Sequence, residues 1–179
     1  RQPLKRFVLC QIGTESQSSI KGRSSITSNA LYVPWKNGSL YENGYISKLS
    51  HSGELQWRKQ IADVNQITTA TDKDENIYTA WSRNSYHTEE TRGSFIAKLN
   101  PENGEIVWKT ELESQNYIIN DLQAVEDTLY AVGQYKGTKR PLLIAVNRNE
   151  GNLLWQKELA ASDSSAFTDI DSDGSHLFV

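Results

Sequence analysis

The sequence predicts an all-β fold built from repeated four-stranded antiparallel units. The first observation is a template written three times: Tyr45-Ile-Ser-Lys-Leu-Ser-His-Ser-Gly-Glu-Leu-Gln-Trp57, Phe95-Ile-Ala-Lys-Leu-Asn-Pro-Glu-Asn-Gly-Glu-Ile-Val-Trp108 and Leu143-Ile-Ala-Val-Asn-Arg-Asn-Glu-Gly-Asn-Leu-Leu-Trp155. In each copy a glycine stands four residues before a tryptophan: Gly53 and Trp57, Gly104 and Trp108, Gly151 and Trp155. The second is a short β-branched and aromatic run between these copies, centred on Tyr32, Tyr78, Tyr130 and Phe178 at spacings of 46, 52 and 48 residues. The third is that no segment of 11 or more residues sustains the apolar spacing of a helix. Self-similarity at such a period marks a repeat architecture, in which one unit cannot bury its apolar face alone.

The elements follow in chain order. Val8 and Ile12 stand four apart, as Trp57 and Ile61 do, so residues 5–13 read as the outer strand of a preceding unit. The first whole unit covers 22–62, with strands at 22–28, 30–36, 44–50 and 54–62, the inner one less regular. The second covers 65–112, with strands at 65–71, 76–83, 93–100 and 105–112. The third covers 117–160, with strands at 117–125, 128–135, 141–148 and 152–160. Residues 164–179 start a further unit, with strands over Ala166–Asp171 and His176–Val179. Between strands lie turn formers such as His51-Ser-Gly53, Pro101-Glu-Asn-Gly104 and Asn149-Glu-Gly151, short enough for hairpins.

The outer strands alternate with period two. Leu55, Trp57 and Ile61, then Ile106, Trp108 and Leu112, then Leu153, Trp155 and Leu159 are expected on one core-facing side. Four-stranded sheets repeated radially are the blades of a β-propeller, which usually has about four to eight. The expectation is a β-propeller segment of about three full blades with partial blades at both ends. The chain carries no initiator Met and begins and ends inside a blade, so it is expected to be part of a larger propeller.

Composition narrows the function classes. A net charge of -3 and an isoelectric point near 5.7 provide no basic footprint, so nucleic acid is not an expected partner. The apolar runs are too short to predict a membrane-spanning helix. Cys10 is the single cysteine, which excludes an intrachain disulfide, and its apolar surroundings predict a buried thiol.

The segment Phe95–Trp108 resembles the tryptophan-docking repeat of pyrroloquinoline-quinone-type propellers. Together with Ala70-Thr-Asp-Lys-Asp-Glu-Asn-Ile-Tyr-Thr-Ala80, it is equally similar to a bacterial β-propeller repeat family. The resemblance implies that Trp57, Trp108 and Trp155 each pack against a neighbouring blade. It also implies an extracytoplasmic, periplasmic or secreted, location. A working quinoprotein of this type would have a vicinal disulfide and a Glu/Asn/Asp calcium set. One cysteine rules out the former, and Ser50, Asn100 and Asn147 replace the Asp of the docking line. No cofactor and no catalytic residue are therefore expected.

Asp169-Ile-Asp-Ser-Asp-Gly174 has the alternating carboxylates and glycine of a calcium loop. The later acidic ligand is missing, and an Asp-rich turn is also an ordinary hairpin cap. The expectation is no metal site, with calcium at Asp169, Asp171 and Asp173 as the alternative. The connections between second and third strands vary in length, and such loops on a regular scaffold carry binding residues. Trp35, Trp81, Tyr86, His87, Arg92, Tyr135 and Arg140 supply aromatic and guanidinium groups suited to a protein or glycan partner. The expected function is a non-enzymatic binding or assembly module. The alternatives are a fragment of a propeller enzyme whose catalytic residues lie outside this chain, and a carbohydrate-binding propeller.

Overall fold

Backbone pairing groups the strands into four separate antiparallel sheets, each made of consecutive segments of chain. The computed structural model describes residues 19–20, 22–36, 43–61, 64–83, 93–112, 117–135, 140–159 and 166–179. The anticipated strand over 5–13, with Cys10, lies outside the described residues, as do Tyr86, His87 and Arg92.

The first sheet contains β1 (Ser19–Ile20), β2 (Ser25–Ile26), β3 (Ala30–Lys36), β4 (Gly44–Ser50) and β5 (Leu55–Ile61). The second contains β6 (Val64–Thr71), β7 (Ile77–Arg83), β8 (Gly93–Leu99) and β9 (Ile106–Glu111). The third contains β10 (Tyr117–Val125), β11 (Thr128–Tyr135), β12 (Pro141–Asn147) and β13 (Leu153–Glu158). The fourth is the pair β14 (Asp171–Ser172) and β15 (Leu177–Phe178). Each whole sheet meanders from an inner to an outer strand, and no helix occurs among the described residues. This is the blade plan of a β-propeller.

Two cores hold the blades together, and each spans a blade boundary. Tyr32, Ile46 and Ile61 of the first blade join Ile67, Ile77 and Phe95 of the second. Tyr78, Ile96 and Leu112 of the second join Ile119, Leu122, Leu129 and Ile144 of the third. Each buried Ile or Leu contributes about 1.5–3 kcal/mol relative to its exposed state. Apolar burial therefore couples neighbouring units, as expected for a repeat protein.

The tryptophans reinforce that coupling. Trp57 Nε1 donates to the Pro101 carbonyl at 2.9 Å, and Trp108 Nε1 donates to the Arg148 carbonyl at 3.1 Å. Each acceptor lies in the turn between third and outer strands of the following blade. Gly104 and Gly151 take φ of 72° and 82° there. A Cβ on either would stand 2.8 or 2.7 Å from the indole of Trp57 or Trp108. Glycine is required twice over, by the left-handed backbone and by the ring laid against it. Asn100 and Asn147, which replace the carboxylate of the docking line, cap these turns: Asn100 Oδ1 accepts from Glu102 N at 2.8 Å, and Asn147 Oδ1 from Asn149 N at 2.9 Å. An amide oxygen serves the turn as a carboxylate would, without the charge.

Three expectations fail locally. The strand anticipated over Ala166–Asp171 is reduced to β14, where Asp171 and Ser172 pair with Phe178 and Leu177. The inner strand anticipated over 22–28 is instead two short pairings, at β1 and β2, both made to β3. The core-facing alternation of the outer strands also breaks, since Leu55, Ile106 and Leu159 are 51 %, 42 % and 42 % exposed. The register shifts between the residues facing Trp57 and Leu55, again at Trp108 and Ile106, and again at Trp155 and Leu153. Gln56, Val107 and Leu154 are therefore bulged, and a bulge re-aims the side chains beside it. Ile61 and Leu112 remain buried because the next blade covers them.

Candidate functional site

Of the residues expected to form a binding surface, two lie inside the blades. Trp35 and Trp81 are each 3 % exposed. Trp35 stacks on Tyr45 with ring centroids 4.4 Å apart, under the guanidinium of Arg58, and Nε1 donates to Ser47 Oγ at 2.9 Å. Trp81 stacks on Phe95 at 5.2 Å, but its Nε1 has no acceptor among the described residues. The pairing register explains the difference, because Ala97 occupies the position that Ser47 holds in the first blade. The third blade places Gly133 there instead of a tryptophan.

Tyr135 and Arg140 are brought together across the β11–β12 connection. Tyr135 N donates to the Arg140 carbonyl at 3.0 Å, and the Tyr135 ring lies edge-on to Tyr117 at 6.0 Å. Arg140 is exposed.

A second constellation lies where the inner strands converge. The repeated aromatics Tyr32, Tyr78, Tyr130 and Phe178 pair with Ser25, Ala70, Gln123 and Asp171. Two residues before each of these stand Arg23, Thr68, Asp121 and Asp169. Equivalent positions in four sheets meet, and Arg23 touches the other three. Its backbone N donates to Thr68 Oγ1 at 3.2 Å. Its Nη1 reaches Asp121 Oδ2 at 2.6 Å and Asp169 Oδ1 at 2.7 Å. Beside this layer, Gln66 Nε2 donates to Asn120 Oδ1 at 2.9 Å and Asn120 Nδ2 to the Phe167 carbonyl at 2.6 Å.

Arg23, Gln66, Asn120, Asp121 and Asp169, with Gln134 and Thr168, line an open cavity of about 630 Å³. It sits at the end of the sheets from which the second-to-third-strand connections leave, because Gln66 is near the start of β6 and Gln134 near the end of β11. Burial pushes the Asp121 carboxyl up to about 6, assisted by its hydrogen bond with Asp169. That same bond, with Arg23 adjacent, holds Asp169 below the ordinary carboxylate range.

A second ionic cluster ties the third blade to the second. Arg148 reaches Asp72 Oδ2 at 2.7 Å and Asp74 Oδ2 at 3.3 Å, and Tyr78 Oη donates to Asp72 at 2.9 Å. Burial and the Asp72 hydrogen bond push the Tyr78 phenol up. In the last loop, Asp173 Oδ1 accepts from Ser175 N and His176 N, both at 2.8 Å. Among the described residues no three acidic, histidine or cysteine side chains are grouped to hold a metal ion.

Sequence reasoning missed Arg23 and Asp121, which lie 98 residues apart. The available signal was positional: a charged residue two places before the strand partner of the repeated aromatic, in three of four units.

Comparison with known proteins adds the lineage. Residues 42–178 match the model of the family described as outer membrane protein assembly factor BamB. Among solved structures, the β-propeller domain of the Trilobed protease from Pyrococcus furiosus, reported with an open velcro topology, superposes with a TM-score of 0.53 at 16 % identity. That superposition covers 82 % of this chain and 44 % of the other. BamB from Moraxella catarrhalis superposes with a TM-score of 0.36 at 12 % identity, covering 77 % of this chain and 61 % of that one. The chain thus spans less than two thirds of the length of either. A search of the curated proteins gives no match. The first superposition shows the propeller fold, and with a family match running over most of its length this chain belongs to the propeller-repeat family described as outer membrane protein assembly factor BamB.

Proposed function

We propose that this chain is a non-enzymatic protein-binding module of the propeller-repeat type, acting in the assembly of outer-membrane proteins on the extracytoplasmic side of the envelope. The observation that carries this reading is the family match over residues 42–178. The placement of the aromatics supports a protein over a glycan partner. Trp35 and Trp81 are packed inside their blades, so neither indole is free to stack on a sugar ring. The binding face is the end of the blades bearing the second-to-third-strand connections, where Tyr135 and Arg140 sit beside the polar cavity lined by Gln134. Rim arginines with partly buried tyrosines are the residue types enriched at protein interfaces.

A photoreactive amino acid in place of Arg140 tests this reading in envelope extracts. The expected result is a discrete adduct with a component of outer-membrane protein assembly, identified by mass spectrometry. Its absence, together with specific retention of the chain on immobilised glycans, would overturn the reading in favour of the carbohydrate-binding alternative.

A further inference from the structure

The Arg23 layer has an unbalanced charge and an unsatisfied atom. One guanidinium serves two carboxylates, Asp121 and Asp169. Asp121 is 1 % exposed; its Oδ2 accepts from Arg23 and from Ile170 N at 3.1 Å, whereas Oδ1 receives no donor among the described residues. A buried ionised oxygen without a donor is costly. Both carboxyl groups accept from the same nitrogen, Arg23 Nη1, at 2.6 and 2.7 Å, which places them side by side. A proton on Asp121 Oδ1, donated to Asp169, would satisfy the orphaned oxygen and balance the charge.

We propose that Asp121 and Asp169 share one proton under the clasp of Arg23, so that the docking of the 166–172 segment on β10 is strengthened by mild acid. The other charged and titratable groups near the pair point elsewhere. Asp171 acts on Arg23 only through space. On β6, Val64–Thr71 carries no titratable side chain. On β7 and β8, Tyr78 is bonded to Asp72, Arg83 lies over Phe95, and Lys98 lies over Tyr78. On β11, Tyr130 and Tyr135 pack on Trp155 and Tyr117.

The direction of the effect follows from the raised carboxyl. Between about pH 4, where an exposed aspartate ionises, and about 6, the docked state keeps a proton that the undocked state has lost. The stabilisation is fully present below that window and is lost as pH rises through 6. Asp169, held low, contributes in the opposite sense, but only below the ordinary aspartate range. A group at about 6 against about 4 makes docking about fourfold more favourable at pH 5.5 than at pH 7.5.

Carboxyl-detected NMR titration of the full chain reads the pair directly. The expected midpoint for Asp121 is near 6, with Asp169 below the ordinary aspartate range; ordinary aspartate midpoints for both would overturn the proposal. Hydrogen exchange at Ile170 N, corrected for the intrinsic pH dependence of exchange, reads the docking. Protection is expected to fall about fourfold from pH 5.5 to 7.5. Asp121→Asn imitates the protonated acid and should abolish that dependence, while Asp171→Asn should leave it intact. Asp169→Asn, at an exposed position, provides a second test should the buried substitution impair folding: it removes the neighbouring carboxylate charge and should weaken the pH dependence, leaving the part that burial of Asp121 supplies. Retention of the full pH dependence in Asp169→Asn would refute proton sharing.

Discussion

Replacing Trp108 by Ala removes a half-buried indole that is fixed at both ends. One face packs against the turn at Gly151, the ring lies 6.3 Å from Tyr78, and Nε1 is bonded to the Arg148 carbonyl. Truncating a fully buried Trp costs about 3–5 kcal/mol. The partial exposure of this ring lowers the figure, while the abandoned carbonyl adds about 1 kcal/mol, for a net loss of about 3 kcal/mol. Trp155 provides an internal control. It packs on Tyr130 at 6.1 Å, as Trp108 does on Tyr78, but it is 37 % exposed and no following turn covers it among the described residues. Trp155→Ala is therefore expected to cost about 1–2 kcal/mol. Trp108→Phe, which keeps an apolar ring and loses the N–H, is likewise expected to cost about 1–2 kcal/mol. Equilibrium urea unfolding of the three variants, compared at constant slope, measures the differences. If Trp155→Ala destabilised as much as Trp108→Ala, the energetic role assigned to the bridge between blades would be wrong.

Gly104→Ala should lower stability by about 2–3 kcal/mol, combining left-handed strain of about 1 kcal/mol with the contact against Trp57. Gly53→Ala, at φ 88° with nothing within 4 Å of the added Cβ, should show the strain alone; equal melting shifts for the two would refute the packing argument. The Asp169–Asp173 loop should bind calcium no more tightly than about 10 μM by calorimetry, weaker than many sensor sites. Asp173 already accepts two backbone amides, and Asp169 is engaged by Arg23.

The blades were legible because their signals are local. Glycine and tryptophan four residues apart mark a turn and the strand after it, and Tyr32, Tyr78 and Tyr130 mark the central strands. The bulges at Gln56, Val107 and Leu154 were not legible, since a period-two reading assumes an unbroken ladder. Trp35 and Trp81 stand at the ends of strands next to irregular connections, which reads as exposure. Their burial depends on Tyr45 and Phe95 across the sheet, a contact that the pairing register determines. Arg23 and Asp121 look like unremarkable surface charges in isolation. Only the convergence of inner strands from different blades makes them partners.

The indole hydrogen bonds run in one direction. Trp57 waits for Pro101, 44 residues later, and Trp108 for Arg148, 40 residues later. During synthesis from the N-terminus, each outer strand is completed before the turn that receives its tryptophan has been made. Every finished blade thus spends one repeat's worth of synthesis with an aromatic ring and an indole N–H unsatisfied. At a typical elongation rate of about 5–20 residues per second, that interval lasts about 2–10 seconds. The blade made last is then the sticky one, and the growing chain advances by covering it.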